Sequence, residues 1–351
     1  MGNGTEALLR YFSQNTETPI TQNQISESLD LPQSTVLKQI QNLQKLGYVI
    51  ETDEHQNFIY KEISDLLKPQ NIQAYLKTNF IGQDLHFFPE LDSEIEKAFH
   101  LAQAYPQEDE SATPLRRSQP STTKSSKPFA GNGSAIITEV CKEPFSPWFF
   151  PKVGINLFAA VVLRPGILPS RASQIALVSC VALARTLENS SGVRPQFRWP
   201  NKLMVDGKPL AEIKLRMQSN VEKINFLVIG FEVNLNGLPE ETTDPQDPPP
   251  ASLRSVSGKV INRPLFAASL FRELEKWYVT YINKGPEKII REISQFFRYD
   301  KKETKISSCG KIYSGVIEGL DSDGTLLLRQ PSGKTTKIPA GNIPQETLIT
   351  Q

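Results

Sequence analysis

Seven charged side chains occur in the segment RWPNKLMVDGKPLAEIKLRM, residues 198–217, and four of them, two in each half, are candidates for chemistry. Arg198 and Lys202 lie in its first half, and Glu212 and Lys214 lie in its second half. Cations held at such a site could compensate the charge of a bound carboxylate or phosphate group. A buried Glu212 would itself need a cationic partner, because an unpaired buried carboxylate is costly, and each of the three cations is a candidate. The segment therefore predicts either a site for a charged ligand or a closed ion pair.

A β-hairpin must position these side chains. Residues 198–201 read as an entering strand, residues 205–208 (VDGK) as a turn, and residues 210–217 as the returning strand. An Asp-Gly pair between two apolar runs favours such a tight turn. Alternate residues of a strand share one face, so Glu212 and Lys214 should point the same way. A solvated edge strand is the alternative to a strand that faces a ligand.

Length, charge and cysteine content limit the class of protein. A chain of 351 residues should form two or three domains. Its cysteines, Cys141, Cys180 and Cys309, show no paired spacing, which argues against a disulfide framework or a zinc site and fits a reducing cytoplasm. No apolar run approaches the roughly 18 residues that span a bilayer, and the N-terminus has no signal-peptide pattern. We therefore expect a soluble, cytoplasmic protein without a membrane partner.

Residues 1–63 predict a winged helix-turn-helix domain. The spacing of apolar residues indicates helices at 4–14, 21–29 and 32–46 and strands at 48–50 and 58–60. Thr21 suits the cap of the second helix, and Gly47 suits the end of the third. The side chains expected to face inward from the third helix are Val36, Leu37, Ile40, Leu43 and Leu46.

The third helix of such a domain would lie in the major groove of DNA. The side chains expected to meet bases and phosphates are Gln33, Ser34, Thr35, Lys38, Gln39 and Asn42. Neutralisation of phosphates dominates DNA affinity, yet residues 1–65 contain nine acidic and only four basic side chains. The alternative is therefore a winged helix that serves dimerisation or another protein contact.

Residues 64–302 should form the central domain. The composition at about 104–132 is polar and rich in proline, which predicts a disordered insertion. The remaining expected elements are continued helix at 66–101, strands at 135–140 and 225–236, helices at 170–189 and 262–283, and a loop at 237–252. The strand at 225–236 is apolar enough for the centre of a sheet or for a homodimer that extends the sheet.

Residues 303–351 predict a small all-β domain. Its expected strands are 305–307, 312–320, 325–328 and 334–338. The dipeptides Asp323-Gly324 and Ser332-Gly333 provide turns between them.

Several motifs resemble those of the biotin protein ligase family, which includes the biotin operon repressors. The hairpin resembles the family's KWPND…KLAGI core, residues 225–236 resemble its GIGINVN strand, and residues 311–328 resemble its C-terminal domain. A further family strand matches here at Trp148, Pro151, Gly154, Asn156, Leu157, Leu163, Arg164 and Pro165. The resemblance implies an α+β fold with an N-terminal winged helix-turn-helix, a central mixed-sheet biotin/lipoate ligase-like domain and a C-terminal SH3-like β-barrel. A homodimer is also implied.

The same resemblance implies an activity. A ligase of this family forms biotinyl-AMP from biotin and ATP with Mg²⁺, and transfers biotin to a lysine of the biotin carboxyl carrier protein. The implied ligand-binding residues are Ser93, Trp148, Asn156, Arg198, Asn201, Glu212 and Lys214. In an active enzyme Arg198, Lys202 and Lys214 would orient the carboxylate and the α-phosphate.

The sequence departs from the family pattern where the ligand should bind. Arg198 replaces the family's lysine, Lys202 its aspartate, and Glu212 the glycine that admits the ligand. The family's DSTN motif reads DSEI at 92–95, which equally describes a helix start capped by Ser93.

The family's Gly/Arg-rich loop, GRGRxGR, is also replaced. Residues 140–147 read VCKEPFSP, without glycine or arginine. Glycines let a backbone wrap phosphates and arginines supply forked donors, whereas proline has no amide N–H to donate. We therefore predict a regulator or binding protein with impaired or lost biotinyl-adenylate synthesis. The alternatives are an active biotin ligase and an adaptor for a carrier protein that does not bind DNA.

Overall fold

A computed structural model provides the structure of the chain. It describes residues 3–46, 48–61, 65–105, 129–149, 151–238, 250–297, 303–308 and 311–338. Within these ranges no helix is both long and apolar enough to cross a membrane. Most of the predicted insertion at 104–132, most of the loop at 237–252, Gly47 and Cys309 lie outside the described residues.

The N-terminal domain has the predicted winged helix-turn-helix architecture. It consists of α1 (Asn3–Gln14), α2 (Gln22–Leu29), α3 (Gln33–Lys45), β1 (Val49–Thr52) and β2 (Phe58–Lys61), with the two strands antiparallel. Thr21 caps α2 as predicted, in a reciprocal capping box with Gln24. The inward prediction for Leu37 is wrong: this side chain is 36% exposed, because the buried stripe of α3 runs through Val36 and Ile40 instead.

Residues 66–101 are not continuously helical, so that prediction is wrong. The segment contains α4 (Pro69–Gln73) and then β3 (Leu85–Leu91), followed by α5 (Glu94–Gln103). A long-range pairing decides this outcome, because β3 aligns in parallel with the strand at 135–141. Ser93 caps α5 as expected, through a hydrogen bond that it accepts from the Glu96 amide.

The central domain is built on a seven-stranded mixed sheet. After β3 its strands are β4 (Ala135–Cys141), β5 (Asn156–Leu163), β6 (Gln196–Arg198), β7 (Lys202–Val205), β8 (Lys208–Ser219) and β9 (Ile224–Asn234). The spatial order is β3-β4-β5-β9-β8-β7-β6, in which all pairs except β3 and β4 are antiparallel. Strand β9 pairs with both β5 and β8, so its central placement is confirmed and a dimer that extends the sheet through β9 is excluded.

The predicted hairpin at 198–217 is a three-stranded unit. Strand β6 ends at Arg198, the chain turns through a cis Trp199-Pro200 bond, and β7 begins only at Lys202. Asn201 therefore lies in a turn and not in an entering strand, because proline has no N–H for a ladder. The second predicted turn is confirmed at Asp206-Gly207, between β7 and β8.

Helices cover the two faces of the sheet unequally. One face packs against α6 (Ala172–Ser191), α7 (Leu253–Ser257), α8 (Arg263–Lys284) and α9 (Glu287–Ser294). The opposite face is covered by α5, whose Ile95 and Phe99 contact a smaller cluster with Phe226 and Val228 of β9. Helix α5 is short and does not cover the parts of β8 and β9 beyond its end. The loop at 142–149 lies over them, and the candidate site is between this loop and the sheet.

Arg263 at the start of α8 ties the domains together. Its fully buried guanidinium bonds to Glu139 of β4 and to Asp65 in the linker, both at 2.9 Å, and donates to the Asn156 carbonyl at 3.2 Å. A second connection runs from the Val153 amide to the Leu46 carbonyl at the end of α3, at 2.8 Å. The winged helix is thus packed directly on the central domain.

The C-terminal domain is a four-stranded antiparallel sheet. Its strands are β10 (Glu303–Ser308), β11 (Lys311–Leu320), β12 (Leu326–Arg329) and β13 (Thr335–Ile338), paired in that order. These positions agree with the predicted strands and turns. Gly324 has φ +81° in the turn before β12, and a Cβ there would collide with Leu177 of α6. Apolar residues of this C-terminal sheet, such as Leu326 and Leu328, pack in the same hydrophobic core as the central domain.

Candidate functional site

A row of four charged residues crosses the sheet next to the end of α5. Arg198, Lys202, Glu212 and Glu232 are successive cross-strand partners on β6, β7, β8 and β9. Directly paired residues in adjacent strands share one face of a sheet, so all four lie on the face that α5 covers in part. We call these four residues the charged row. Two cations stand at its outer end and two carboxylates at its inner end.

Residues 142–149, which we call the covering loop, lie over the inner end of the charged row. The Glu232 carboxylate accepts hydrogen bonds from the Phe145 amide at 2.7 Å and from the Ser146 amide at 2.9 Å. The buried Ser146 hydroxyl donates to Glu212 Oε2 at 2.7 Å. Ser146 therefore bridges two carboxylates that would otherwise repel each other as direct cross-strand neighbours. Two backbone amides of the covering loop are therefore satisfied by one of the protein's own acids.

Lys202 is the ion-pair partner of Glu212. Its Nζ lies 3.8 Å from Glu212 Oε2 and 4.3 Å from the centroid of the Trp148 ring. The Asn201 side-chain amide also donates to Glu212 Oε1 at 3.3 Å. Burial raises the pKa of Glu212 although Lys202 opposes the shift, and burial lowers the pKa of Lys202 although Glu212 opposes that shift. The closed ion pair predicted for Glu212 is thus present, with Lys202 as the partner.

The other two candidate partners are placed differently. Lys214 is exposed, and its Nζ lies 5.5 Å from the centroid of the Phe145 ring. Arg198 is half-buried, and burial lowers its pKa. Among the described residues, the Arg198 side chain has no ion-pair or hydrogen-bond partner, so its charge is available at the outer end of the row.

Side chains of the protein itself fill the space above Gly230 of β9. A Cβ at Gly230 would lie 3.1 Å from Phe145 Cε1, 3.3 Å from Ile95 Cδ1 and 3.4 Å from Glu94 Oε1. Close packing therefore favours glycine at this point, and the packing partners come from α5 and the covering loop.

Beside Gly230 lies a buried acidic cluster formed by Glu94, Cys141 and Glu232. One potential ligand atom from each residue lies within 4.8 Å of the others, and all three residues are buried. Burial raises the pKa of Glu94, and burial followed by the charge of Glu94 raises the pKa of Glu232. The Cys141 thiol, whose pKa burial also raises, donates to the Asp92 carbonyl at 3.4 Å. Apart from weak interactions with its own backbone and with the Cys141 thiol, Glu94 has no hydrogen bond of regular geometry to either oxygen in the part of the chain that the structure describes.

The predicted site residues thus divide into two groups. The first group is linked by successive contacts: Lys202 contacts Trp148 and Glu212, and Asn201 donates to Glu212. Arg198 adjoins this group in the charged row. The others stand apart: Ser93 serves as the cap of α5, Lys214 is exposed, and Asn156 is a buried residue whose backbone carbonyl bonds to Arg263.

The predicted DNA-contacting side chains are partly displayed on α3. Gln33, Ser34, Lys38 and Asn42 are exposed. Thr35 and Gln39 are half-buried, and the Gln39 side-chain oxygen is enclosed. The fully exposed polar face of α3 is therefore narrower than the sequence alone indicated.

Three protein-family models match this chain, one for each of the three domains of the fold. Residues 9–50 match the model for winged helix-turn-helix DNA-binding domains, residues 151–295 that of the biotin/lipoate A/B protein ligase family, and residues 302–343 that of the biotin protein ligase C-terminal domain. The bifunctional ligase/repressor BirA of Bacillus subtilis is 25% identical over 328 residues, covering 93% of this chain and 94% of the relative. This chain belongs to the biotin protein ligase/repressor family.

Other members of the biotin protein ligase/repressor family match smaller portions. The biotin–[acetyl-CoA-carboxylase] ligase of Paracoccus denitrificans is 28% identical over 193 residues, covering 54% of this chain and 79% of the relative. The structure of the Aquifex aeolicus biotin protein ligase in complex with biotin and ATP superimposes with a TM-score of 0.57 at 16% identity, covering 74% of this chain and 97% of that one. At this identity the likeness concerns the fold.

Five residues of the site in this ligase/repressor-family protein were not among the predicted site residues: Glu94, Cys141, Phe145, Ser146 and Glu232. Glu232 could have been predicted from the sequence, since it is the one charged residue in the apolar run NFLVIGFEVNLN and a charge in a buried strand is unusual. No sequence feature indicates Cys141 or Phe145 as site residues, because their neighbours in the fold come from distant parts of the chain.

Proposed function

We propose that this protein is a regulator or binding protein of the biotin protein ligase/repressor family in which biotinyl-adenylate synthesis is impaired or lost. The observation that carries the proposal is the double hydrogen bond from the Phe145 and Ser146 amides to Glu232. These are the amides that a phosphate-binding loop at this place would offer to a ligand. They are engaged by an internal carboxylate.

Charge supports the same conclusion. Joining a carboxylate to the α-phosphate of ATP brings anions together, so cations and amide donors must compensate the developing charge. Glu212 and Glu232 place two acids in the charged row, and Glu94 adds a third beside it. Ionised, these acids would repel both reactants. Protonated, Glu94 would still occupy the space above Gly230 together with Phe145 and Ile95.

Calorimetry of the full chain tests this proposal. We expect no heat of binding at micromolar concentrations of biotin, ATP with Mg²⁺, or biotinyl-AMP, and no transfer of biotin to a carboxyl carrier domain. The Bacillus subtilis relative, titrated in parallel, serves as the positive control. Micromolar or tighter biotin binding together with carrier biotinylation would overturn the proposal, as would a co-crystal with biotinyl-AMP seated beside Glu212.

A second candidate function, active biotin ligation, is favoured by Arg198. This half-buried, unpaired guanidinium next to Lys202 could hold a carboxylate or α-phosphate if the covering loop moved. Under this alternative Arg198→Ala would abolish biotin transfer, whereas Arg272→Ala, at an exposed position of α8, would leave it unchanged. An active wild-type protein with this pattern of variants would establish the alternative and refute the first proposal.

We further propose that the winged helix binds DNA as part of a cytoplasmic homodimer. The exposed polar residues of α3 and the match of residues 9–50 support DNA binding, while Glu51 and Glu54 on the β1–β2 wing weaken it. Selection from random duplexes at low and moderate salt should enrich a paired half-site. Absence of enrichment would instead favour an adaptor that contacts a carrier protein and no DNA.

A further inference from the structure

We propose that Glu94, Cys141 and Glu232 form a binding site for one divalent metal ion of the Zn²⁺ class. The three residues come from the first turn of α5, the last position of β4 and the interior of β9. Their ligand atoms already converge to within 4.8 Å of one another. The metal site shares Glu94 and Glu232 with the acids on which the proposed function rests, but metal binding itself goes beyond that function and is tested without biotin or DNA.

An orphaned carboxylate is the second observation that points to a ligand. Glu94 is fully buried, and within the described residues its carboxyl group interacts only weakly, with its own backbone amide and the Cys141 thiol, so that neither oxygen has a hydrogen bond of regular geometry. Buried polar atoms nearly always have a partner, because an unsatisfied one loses its hydration without replacement. When a cation binds, Glu94, Glu232 and the Cys141 thiol release the protons that they hold to solvent, and the cation then compensates the charge of the two carboxylates and the thiolate.

The donor atoms select the class of metal. A cysteine sulfur with two carboxylate oxygens suits a borderline-soft ion such as Zn²⁺ or Co²⁺, whereas Mg²⁺ and Ca²⁺ take oxygen ligands alone. In a tetrahedral Zn²⁺ site with metal–ligand bonds of about 2.0–2.3 Å, ligand atoms lie roughly 3.5 Å apart. The side chains must therefore close by only about 1 Å, which small rotations of Glu94 and Cys141 can supply.

The surroundings already orient one ligand. Each oxygen of Glu232 accepts an amide of the covering loop, at 2.7 Å and 2.9 Å, so the carboxylate is held in place before a metal arrives. Such outer hydrogen bonds fix ligand geometry in metal sites. Phe145 and Ile95 enclose the position from above Gly230, which keeps competing solvent ligands few.

Titration of the metal-free full chain with Co²⁺ tests the site. We expect one equivalent to bind and to produce the near-ultraviolet charge-transfer absorption of a cobalt–thiolate bond, which Zn²⁺ then displaces. Cys141→Ser should lose this absorption. Glu94→Gln should bind at least about tenfold more weakly, a loss seen even for residues that only support a ligand. Cys180→Ser is the matched control, since Cys180 is equally buried but lies in the apolar core, and it should retain the absorption.

Binding of no metal, or a thiolate absorption that survives in Cys141→Ser, would overturn the proposal. If Cys141→Ser does not fold, X-ray absorption of the Zn²⁺-loaded wild-type protein decides the matter. One sulfur and otherwise oxygen neighbours would support the site, and a spectrum without a sulfur neighbour would refute it. Neither measurement depends on biotin or DNA, so its failure is distinct from failure of the proposed function.

Discussion

Glu139 and Cys141 lie two residues apart on β4 but belong to buried groups of opposite character. Around Glu139, the guanidinium of Arg263 compensates two acids, and each partner has several hydrogen bonds. Around Cys141, two further acids lie close together, and in the described part of the chain no cation forms an ion pair with either of them. The paired group joins domains and has an architectural role. The unpaired group is strained electrostatically, as functional sites often are.

The largest expected effect comes from breaking the paired group. Arg263→Ala should lower the free energy of unfolding by about 3–5 kcal/mol, because it leaves Glu139 buried without its counter-charge. Urea denaturation measures this loss. Arg272→Ala, at an exposed position on the same helix, is the control and should change stability by less than about 0.5 kcal/mol. A loss in Arg263→Ala as small as the control's would contradict the architectural role.

The unpaired group, Glu94 and Glu232 with Cys141, should make the stability of the protein depend on pH. The folded-state pKa of Glu94 and of Glu232 is raised above the ordinary value of 4.5, so the folded protein retains a proton that the unfolded chain releases. In the presence of a chelator, the contribution of this pair to stability should therefore be largest at and below pH 4.5, and it should fall by a few kcal/mol as the pH rises through neutrality. Thermal unfolding across this range measures the slope.

Glu94→Gln should flatten that pH profile, since one of the two interacting acids is removed. Glu96→Gln is the control, because Glu96 lies on the same helix but is exposed. An unchanged slope in Glu94→Gln would show that the pair is not the source of the pH dependence.

A smaller, local effect is expected from Glu232→Leu. The Phe145 and Ser146 amides lose their charged acceptor, and a hydrogen bond to a charged group contributes about 1.5–3 kcal/mol. Hydrogen exchange of peptides spanning 142–149 should accelerate by roughly tenfold or more relative to β5 peptides of the same variant. Glu222→Gln, in the exposed turn between β8 and β9, should leave exchange unchanged. Equal exchange in both variants would mean that Glu232 does not hold the covering loop.

The exposed charges of the winged helix should have the smallest effect on stability, and their main effect should be on the salt dependence of DNA binding. Lys38→Ala on α3 should leave the folded state nearly unchanged but reduce the salt dependence of DNA binding by about one phosphate contact. Lys334→Ala, in the exposed turn before β13, is the control. An identical salt slope in wild type and Lys38→Ala would remove α3 from the DNA interface.

Much of the fold was predictable because local chemistry fixed it. The Thr21 capping box, the Asp206-Gly207 and Asp323-Gly324 turns and the apolar run of β9 each act within a few neighbouring residues. The prediction of continuous helix at 66–101 failed at β3, where a weak local pattern was overridden by pairing with β4. The Glu212–Lys202 pair was foreseen as one of three possibilities, and cross-strand register selected it.

The sequence by itself determined the three kinds of domain, their order and the replacement of the family's ligand-binding residues by Glu212 and a proline-containing loop. Only the tertiary structure decided what those replacements do. It placed Glu232 opposite Glu212, brought Glu94 and Cys141 beside it, and turned the loop amides inward. The physical reason is that turns, caps and periodicity depend on near neighbours, whereas a buried cluster depends on strand register and helix docking between residues far apart in the chain.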